Sequence, residues 1–379
     1  MPIIDNEALM AAAASAAAKS VAGNNATDLL MAPNQVNAQV DTSVGVDLTT
    51  SYLGLTLRTP LVASAGPLSQ SVESVKRLED AGVGAVVMYS LFEEQVRYDQ
   101  EQRVRVVEAH ANSFAEALSY FPTEPSTANS ETSQYLDLLE KCAKSLEIPL
   151  IASLNGTRLG NWTETARSLQ DAGASAIELN TYLLPGDFTL SGAQIEQRHL
   201  DLLAAVKSVV SIPVSIKLSP YFSNFGAFAT RLDLAGADGL VLFNRFLQPD
   251  IDINRQEVVS GFELSNPEEG RLPRTWIAAL NGRVSASLAA SGGVEGYRDV
   301  VKGILAGADV VMTTSALVRH GASYAAELIK GLRSYLNREQ LTLTAARGML
   351  AVPKTASVTD YERSGYVSAL EKAKRRYGV

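Results

Sequence analysis

The sequence predicts an α/β fold, namely a TIM (β/α)8 barrel with long loop insertions after strands two and six. One repeated pattern carries most of this prediction: a helical stretch ends in Ala-Gly and leads into a short apolar strand. The Ala-Gly pairs stand at 81–82, 172–173, 235–236 and 306–307. Glycine reaches the left-handed conformation that ends a helix at little cost. The strands that follow are continuously apolar, which is typical of parallel strands buried on both faces.

Eight strands can be placed in chain order, and three of them start at a proline, which a strand tolerates at its first residue. The predicted strands are 60–64, 84–89, 149–154, 175–180, 213–218, 238–243, 286–291 and 309–313. Helical stretches such as 72–82 and 297–307 lie between them, with apolar residues three and four positions apart. The connections 90–148 and 244–285 are too long for a bare helix, so they predict lids or binding loops.

Composition divides the chain into three parts. Residues 1–45 are Ala-rich and helix-prone, and we expect a loosely attached extension there. Acidic residues stand where a signal peptide would be positively charged. We expect residues 46–340 to form the barrel and residues 341–379 to form a C-terminal helical tail.

The bulk composition excludes several classes of partner. The chain has 379 residues, 46% of them hydrophobic, and a net charge of −8, which argues against nucleic acid and anionic membranes as main partners. Cys142 is the only cysteine, so internal disulfides and Cys-based zinc or iron–sulfur clusters are excluded, and no metal site is predicted. No apolar run reaches the length of about 18 residues that a membrane helix needs. A cytoplasmic location is the default expectation.

The carboxyl ends of the strands should carry the chemistry, because active sites of such barrels form there. Three asparagines and a lysine converge at this end: Asn155, Asn180, Asn244 and Lys217. Asparagine offers hydrogen-bond donors and acceptors without charge, which suits a planar heterocycle. A buried lysine is costly unless it meets an anion or an electron-rich group. Lys217 alone could instead form a Schiff base, as in barrel aldolases.

The loops after strands seven and eight form the usual phosphate cradle of this fold. Gly292 and Gly293 follow strand seven, and Thr314 and Ser315 follow strand eight. Small residues allow backbone N–H groups to approach an anion, and a following helix adds its positive end. The sequence therefore predicts a phosphate-bearing ligand.

Residues 46–335 resemble the dihydroorotate dehydrogenases, FMN-containing barrels that oxidise dihydroorotate to orotate. The resemblance rests on Lys217 in a K-L-x-P context, on E-L-N at 178–180, on the Gly-Gly at 292–293 and on Ser-Ala-Leu at 315–317. It implies that Lys217 contacts the flavin and that Asn180 and Asn244 bind substrate. Together, the strand ends and this resemblance predict the following FMN-binding residues: Ala65, Gly66, Asn155, Lys217, Gly292, Gly293, Thr314 and Ser315.

The chain also departs from the family pattern. A Cys or Ser in the family motif N-x-S-C-P-N takes the substrate proton, and Leu183 stands at that position here. We expect Tyr182, or else Ser90 or Thr181, to accept the proton instead. Tyr89 replaces a family lysine after strand two, and Thr314 replaces a glycine. Asn112 is the best match to an asparagine in the family's lid, which would bind substrate.

Three other functions stay open at this point. They are a flavin-free isomerase or aldolase that uses Lys217, an FMN reductase of the enoate type with another substrate, and a non-catalytic barrel that keeps the cofactor. No nicotinamide-binding Rossmann domain is evident, so the expected partners are a small-molecule substrate and an unidentified electron acceptor. A homodimer is left open.

Overall fold

The computed structural model describes residues 45–99, 101, 130–156, 162–182, 186–246, 249–259 and 263–378. A hairpin of β1 (Thr50–Tyr52) and β2 (Leu55–Leu57) comes first. The barrel strands are β3 (Leu61–Ala63), β4 (Ala85–Phe92), β5 (Leu150–Asn155), β6 (Ala176–Asn180), β7 (Val214–Leu218) and β8 (Gly239–Leu242). After a second hairpin of β9 (Asp250–Asp252) and β10 (Glu257–Val259), β11 (Ser287–Ser291) and β12 (Val310–Thr313) complete it.

The eight barrel strands are all parallel and close on themselves, with β12 pairing to β3. Every predicted strand is present, with ends that differ by at most three residues from the predicted ones. The prediction of a TIM (β/α)8 barrel is confirmed. It fixes where a site can form, because the carboxyl ends of all eight strands meet at one mouth.

Helices alternate with the strands and cover the outside of the barrel. They are α1 (Val72–Asp80), α2 (Glu131–Ser145), α3 (Trp162–Asp171), α4 (Gly192–Lys207), α5 (Phe225–Leu234), α6 (Arg271–Leu280), α7 (Tyr297–Ala306), α8 (Ser315–His320), α9 (Tyr324–Arg338), α10 (Leu343–Ala346) and α11 (Val358–Tyr377). The glycine of each Ala-Gly pair has a positive φ, between 90° and 115°. The repeated pattern therefore marks the helix ends, as expected.

The first hairpin closes the amino-terminal end of the barrel. Tyr52, Leu53 and Leu57 pack on the apolar side chains that fill the interior. The Leu53 N–H donates to Ser287 Oγ at 3.0 Å. Gly239 makes room for this plug, because a Cβ there would lie 2.4 Å from Leu53 Cδ2. With this end sealed by apolar side chains, ligands can enter only from the opposite mouth.

The second hairpin lies in the predicted insertion 244–285. Much of the other predicted insertion, residues 102–129, lies outside the described residues. Past α9, the segment before α11 bonds to the barrel through the N–H groups of Gly348 and Leu350, which donate to the carbonyls of Ile304 and Leu305. Helix α11 itself buries no residue. Over the ranges that the structure describes, no helix combines the length and apolarity needed to cross a bilayer.

Candidate active site

Three of the predicted side chains lie next to one another on adjacent strands at the mouth. Asn155 of β5 is in register with Asn180 of β6, and Asn180 is in register with Lys217 of β7. Residues in register on neighbouring strands point to the same face, so these three side chains project together. All three are buried. Asn244, just after β8, donates from Nδ2 to the carbonyl oxygen of Lys217 at 3.4 Å.

The ammonium group of Lys217 has two side-chain contacts. Its Nζ lies 3.5 Å from Oε1 of Glu178 and 3.4 Å from Oγ of Ser64. Glu178 is completely buried, and neither carboxylate oxygen has a hydrogen-bond partner among the described residues. From the sequence, Glu178 belongs to the E-L-N segment at 178–180, and no role is predicted for it. The one feature that could have marked it is an acidic residue inside an otherwise apolar strand.

The mouth also holds a buried amide oxygen that makes no hydrogen bond to any described residue. This atom is Oδ1 of Asn180. Buried polar atoms are nearly always hydrogen-bonded in folded proteins, so an unpartnered one at an open mouth indicates a place for a ligand or water. The Lys217 ammonium has three donors, which leaves capacity beyond Glu178 and Ser64.

A cavity of about 410 Å³ opens beside Lys217. This volume is within the range of small-molecule sites, which is about 300–1,000 Å³. Seven of the predicted residues line it, together with Ser64 and Ser265: Ala65, Gly66, Lys217, Gly292, Gly293, Thr314 and Ser315. The structure therefore brings the loops after β3, β11 and β12 to one cavity with the lysine of β7.

The Gly-Gly turn after β11 has a shape that only glycine fits. Gly292 and Gly293 have φ values of 91° and 66°. A Cβ on Gly293 would lie 2.2 Å from the backbone nitrogen of Gly270, whereas one on Gly292 would meet no atom within 4 Å. The backbone of this turn is therefore packed tightly on one side and open on the other.

The hydroxyl groups of Thr314 and Ser315 form hydrogen bonds between the loops of the mouth. Thr314 Oγ1 donates to the carbonyl of Ser64 at 2.8 Å. Ser315 Oγ accepts the Ser265 N–H at 3.0 Å, and this bond connects the loop after β12 to the insertion after β8. These bonds hold the wall of the cavity, so its rigidity does not depend on a ligand.

An aromatic shelf, formed by Tyr182, Phe246 and Tyr221, lies at the other side of the mouth. The rings of Tyr182 and Phe246 stack with centroids 4.5 Å apart, and Tyr221 meets Phe246 edge-on at 5.3 Å. Phe246 and Tyr221 line a second cavity of about 930 Å³, which shares Phe243 and Arg245 with the first. The two cavities thus adjoin. Sequence reasoning missed Phe246, which no motif marks.

The remaining candidates for a proton acceptor differ in their surroundings. Ser90 is partly exposed, and its Oγ lies 2.9 Å from Oγ of Ser153. Thr181 is buried, and its hydroxyl donates to the Lys217 carbonyl at 2.9 Å. Leu183 lies outside the described residues, as does Asn112.

Tyr89, which replaces the family lysine, packs on the helix layer. Its ring meets Tyr135 of α2 edge-on at 4.8 Å. Burial, and to a smaller extent the charge of Glu131, raises the pKa of Tyr89. Tyr89 therefore contributes packing between the sheet and α2.

Comparison with known proteins agrees with this geometry. A family model described as dihydroorotate dehydrogenase matches residues 47–336. The chain belongs to the dihydroorotate dehydrogenase family. The predicted family resemblance is confirmed, and the chain is an oxidoreductase of this class.

Individual members of this dihydroorotate dehydrogenase family are distant in sequence but cover most of the barrel. A putative dihydroorotate dehydrogenase A (fumarate) of Aeropyrum pernix is 29% identical over 297 residues, which cover 76% of this chain and 92% of the relative. The catalytic subunit of dihydroorotate dehydrogenase B (NAD(+)) of Methanocella arvoryzae is 26% identical over 300 residues, covering 78% and 95%. The corresponding subunit of Thermoplasma volcanium gives the same figures.

Proposed function

We propose that this chain binds FMN non-covalently and oxidises dihydroorotate to orotate, a step of pyrimidine biosynthesis. The observation that carries the proposal is the position of Lys217, which lines the 410 Å³ cavity. Asn180 is its register partner on the next strand, and Asn155 is in turn the register partner of Asn180; neither asparagine is part of the cavity lining. A fixed cation next to hydrogen-bonding amides suits a flavin ring, on which negative charge develops during reduction.

The residues present fit FMN. The Gly-Gly turn has one open side, because a Cβ on Gly292 would meet no atom within 4 Å. The Thr314 hydroxyl donates to the Ser64 carbonyl, whereas Ser315 Oγ only accepts, from Ser265. The Ser315 O–H and backbone N–H groups are therefore the donors that would meet the phosphate. Asn180 Oδ1 and Lys217 supply unused hydrogen-bonding capacity for the ring side. Bound FMN would supply a two-electron acceptor for the substrate.

The protein's own residues then divide the work. Asn180 and Asn244 hold the substrate, and Asn155 and Lys217 hold the flavin. The proton that leaves the substrate carbon goes to the phenolate form of Tyr182, which has first released its own proton to solvent through its exposed side. Tyr182 lies on the loop after β6, two residues beyond Asn180, and its ring stacks on Phe246. Ser90 is the second candidate, since it is partly exposed and hydrogen-bonded to Ser153.

Neither the structure nor the comparisons favour a flavin-free aldolase. A Schiff-base lysine must be neutral to attack a carbonyl group. Lys217 instead forms an ion pair with the buried carboxylate of Glu178, with Nζ 3.5 Å from Oε1.

The test starts with the cofactor. Purified protein is denatured, and the supernatant is chromatographed against FMN, FAD and riboflavin standards. We expect FMN. If protein expressed in medium with added riboflavin releases no flavin, the proposal is refuted. Dihydroorotate added without oxygen should then bleach the visible flavin band. A flavoprotein that is not bleached would instead act on another substrate. Fumarate and NAD(+), which the relatives' names contain, are the first electron acceptors to test by reoxidation.

A further inference from the structure

We propose that Glu178 is a positioning residue for Lys217: it keeps the lysine ammonium charged and aimed at the cavity. The inference rests on the proposed function, because it concerns the flavin that this cavity would hold. Glu178 would act on that ligand only through Lys217, which separates its role from that of the residues lining the cavity.

The barrel geometry places the two groups for this role. Glu178 lies on β6, two residues before Asn180, and Lys217 is the register partner of Asn180 on β7. Both side chains therefore point into the barrel, with Glu178 deeper. Ser64 follows β3, which faces β7 across the eight-stranded barrel. Since the Lys217 Nζ is 3.4 Å from Ser64, this side chain reaches across the mouth.

The energetics make each group depend on the other. A carboxylate or an ammonium buried alone is strongly destabilising, and removing one partner of a buried pair leaves the other uncompensated. The Glu178 carboxylate has no hydrogen bond to any described residue, so the Lys217 charge is its main compensation. In return, Glu178 takes one side of the ammonium and Ser64 another, which leaves a donor for the cavity.

The other titratable groups around the pair do not replace either partner. Burial, with a further contribution from the charge of Glu178, raises the pKa values of Tyr52 and Tyr135, so both phenols stay neutral. The Tyr52 oxygen lies beside Ser215 without a hydrogen bond of standard geometry. The charge of Asp309 also contributes to the raised pKa of Tyr52, and burial raises the pKa of Asp309 itself.

A second cation lies on the cavity wall but already has a counter-charge. Nε of Arg245 is 2.9 Å from Oε2 of Glu269. Arg245 is thus already neutralised by Glu269. Among the described residues, the acidic group within 4 Å of the Lys217 ammonium is Glu178.

A change of Glu178 to glutamine should make the site sensitive to pH. Without its counter-charge, buried Lys217 should lose its proton more easily, because burial disfavours the charged form. At low pH the lysine stays protonated and the site behaves like wild type. As the pH rises, the charge is lost. In the wild type the Glu178 carboxylate lies 3.5 Å from the ammonium, so wild type is the reference for the variant at each pH.

The experiment measures binding of oxidised and dithionite-reduced FMN to the apoprotein by calorimetry, from about pH 6 to about pH 9. Because free reduced FMN itself loses a proton in this range, the variant is compared with wild type at each pH. The preference of Glu178→Gln for reduced FMN, divided by that of wild type, should fall about tenfold or more as the pH rises and return to wild type at low pH. The control is Glu140→Gln, which removes one carboxylate of an exposed helix pair with Lys144 and should leave the profile unchanged.

The outcomes separate this inference from the proposed function. If wild type binds no FMN, the proposed function fails, and the Glu178–Lys217 coupling is read from a double-mutant cycle of apoprotein unfolding. If wild type binds FMN and Glu178→Gln has the wild-type pH profile, the positioning role is wrong. Should Glu178→Gln not fold, Glu178→Leu/Lys217→Met removes both charges. That variant should bind reduced FMN as Lys217→Met does, and a further loss would overturn the inference.

Discussion

The two sides of the barrel mouth are built by different means. On the side of β3, β11 and β12, the wall consists of glycines and of hydroxyls that bond to backbone groups, as Thr314 does to the Ser64 carbonyl. On the side of β5 to β8, the wall consists of projecting side chains: asparagines, Lys217 and the aromatic shelf. The first side depends on backbone shape, and the second depends on the identity of each side chain.

This difference decides which substitutions each side tolerates. On the first side the donors are backbone N–H groups, so the side depends on turn positions that need glycine, such as Gly293. On the second side the functional groups are side chains, so a single substitution there removes a donor, an acceptor or a charge, as a change of Lys217 would. We therefore expect mutations to separate cofactor binding from substrate oxidation.

The largest separation should come from Tyr182→Phe. Loss of a positioned proton acceptor should slow reduction of the flavin by dihydroorotate about 10²–10⁴-fold, without loss of FMN content. Stopped-flow bleaching of the flavin band measures this rate. Ser90→Ala is the parallel variant and should have a much smaller effect. The reverse order would place the base on β4, at Ser90.

Leu183→Cys extends the same test. If Tyr182 is the base, the new thiol should change the rate little. A dihydroorotate activity that exists only in Leu183→Cys would show that the wild type acts on another substrate. Fast reduction that survives Tyr182→Phe would contradict the assignment of the base to this loop.

Lys217→Ala should slow flavin reduction about 10²–10³-fold, since it removes a preorganised charge. The buried carboxylate of Glu178 adds a second effect: an unpaired partner costs about 3–5 kcal/mol of unfolding free energy. The double variant Lys217→Ala/Glu178→Gln should recover stability in a thermal melt but not the reduction rate. A single variant that reduces at the wild-type rate would show that the lysine is only structural.

Local signals explain how much of the fold the sequence predicts. Seven of the eight barrel strands are mostly apolar and follow a proline or an Ala-Gly helix end, so their positions can be predicted without knowledge of their neighbours; β11 follows neither signal. The hairpin of β1 and β2 has strands of three residues, too short for a periodic signal. Its role as a plug depends on a contact between Leu53 and Gly239, which are far apart in the chain.

The same distinction applies to the candidate site. Lys217 and the three asparagines could be predicted because each follows or ends a predicted strand. Glu178 requires the register of β6 with β7 before its pairing with Lys217 becomes visible. The contact of Phe246 with Tyr182 depends on how close two loops come to each other, which the sequence does not reveal. The residue pattern predicts individual elements, but it does not predict contacts between side chains of different elements.

Gly293→Ala tests the backbone-built side. The left-handed conformation costs an alanine about 1–2 kcal/mol, and its Cβ would also displace the Gly270 backbone, so FMN affinity should fall about tenfold or more. Flavin fluorescence during titration of the apoprotein measures this affinity. Gly54→Ala is the matched control, since Gly54 has φ 73° and no atom within 4 Å of the added Cβ. It should lower the melting temperature and leave FMN affinity unchanged.

The smallest effect should come from Phe246→Ala, which removes the ring that stacks on Tyr182. Stacked aromatic pairs contribute about 0.5–1.5 kcal/mol, so we expect a change of about two- to tenfold. The change should appear in the rate of flavin reduction by dihydroorotate, because Tyr182 is no longer held in place, and FMN affinity should stay the same. Phe188→Ala is the control, since that ring is fully exposed. A loss of FMN with Phe246→Ala would mean that the aromatic shelf belongs to the cofactor side, and the division of the mouth into two sides would have to be redrawn.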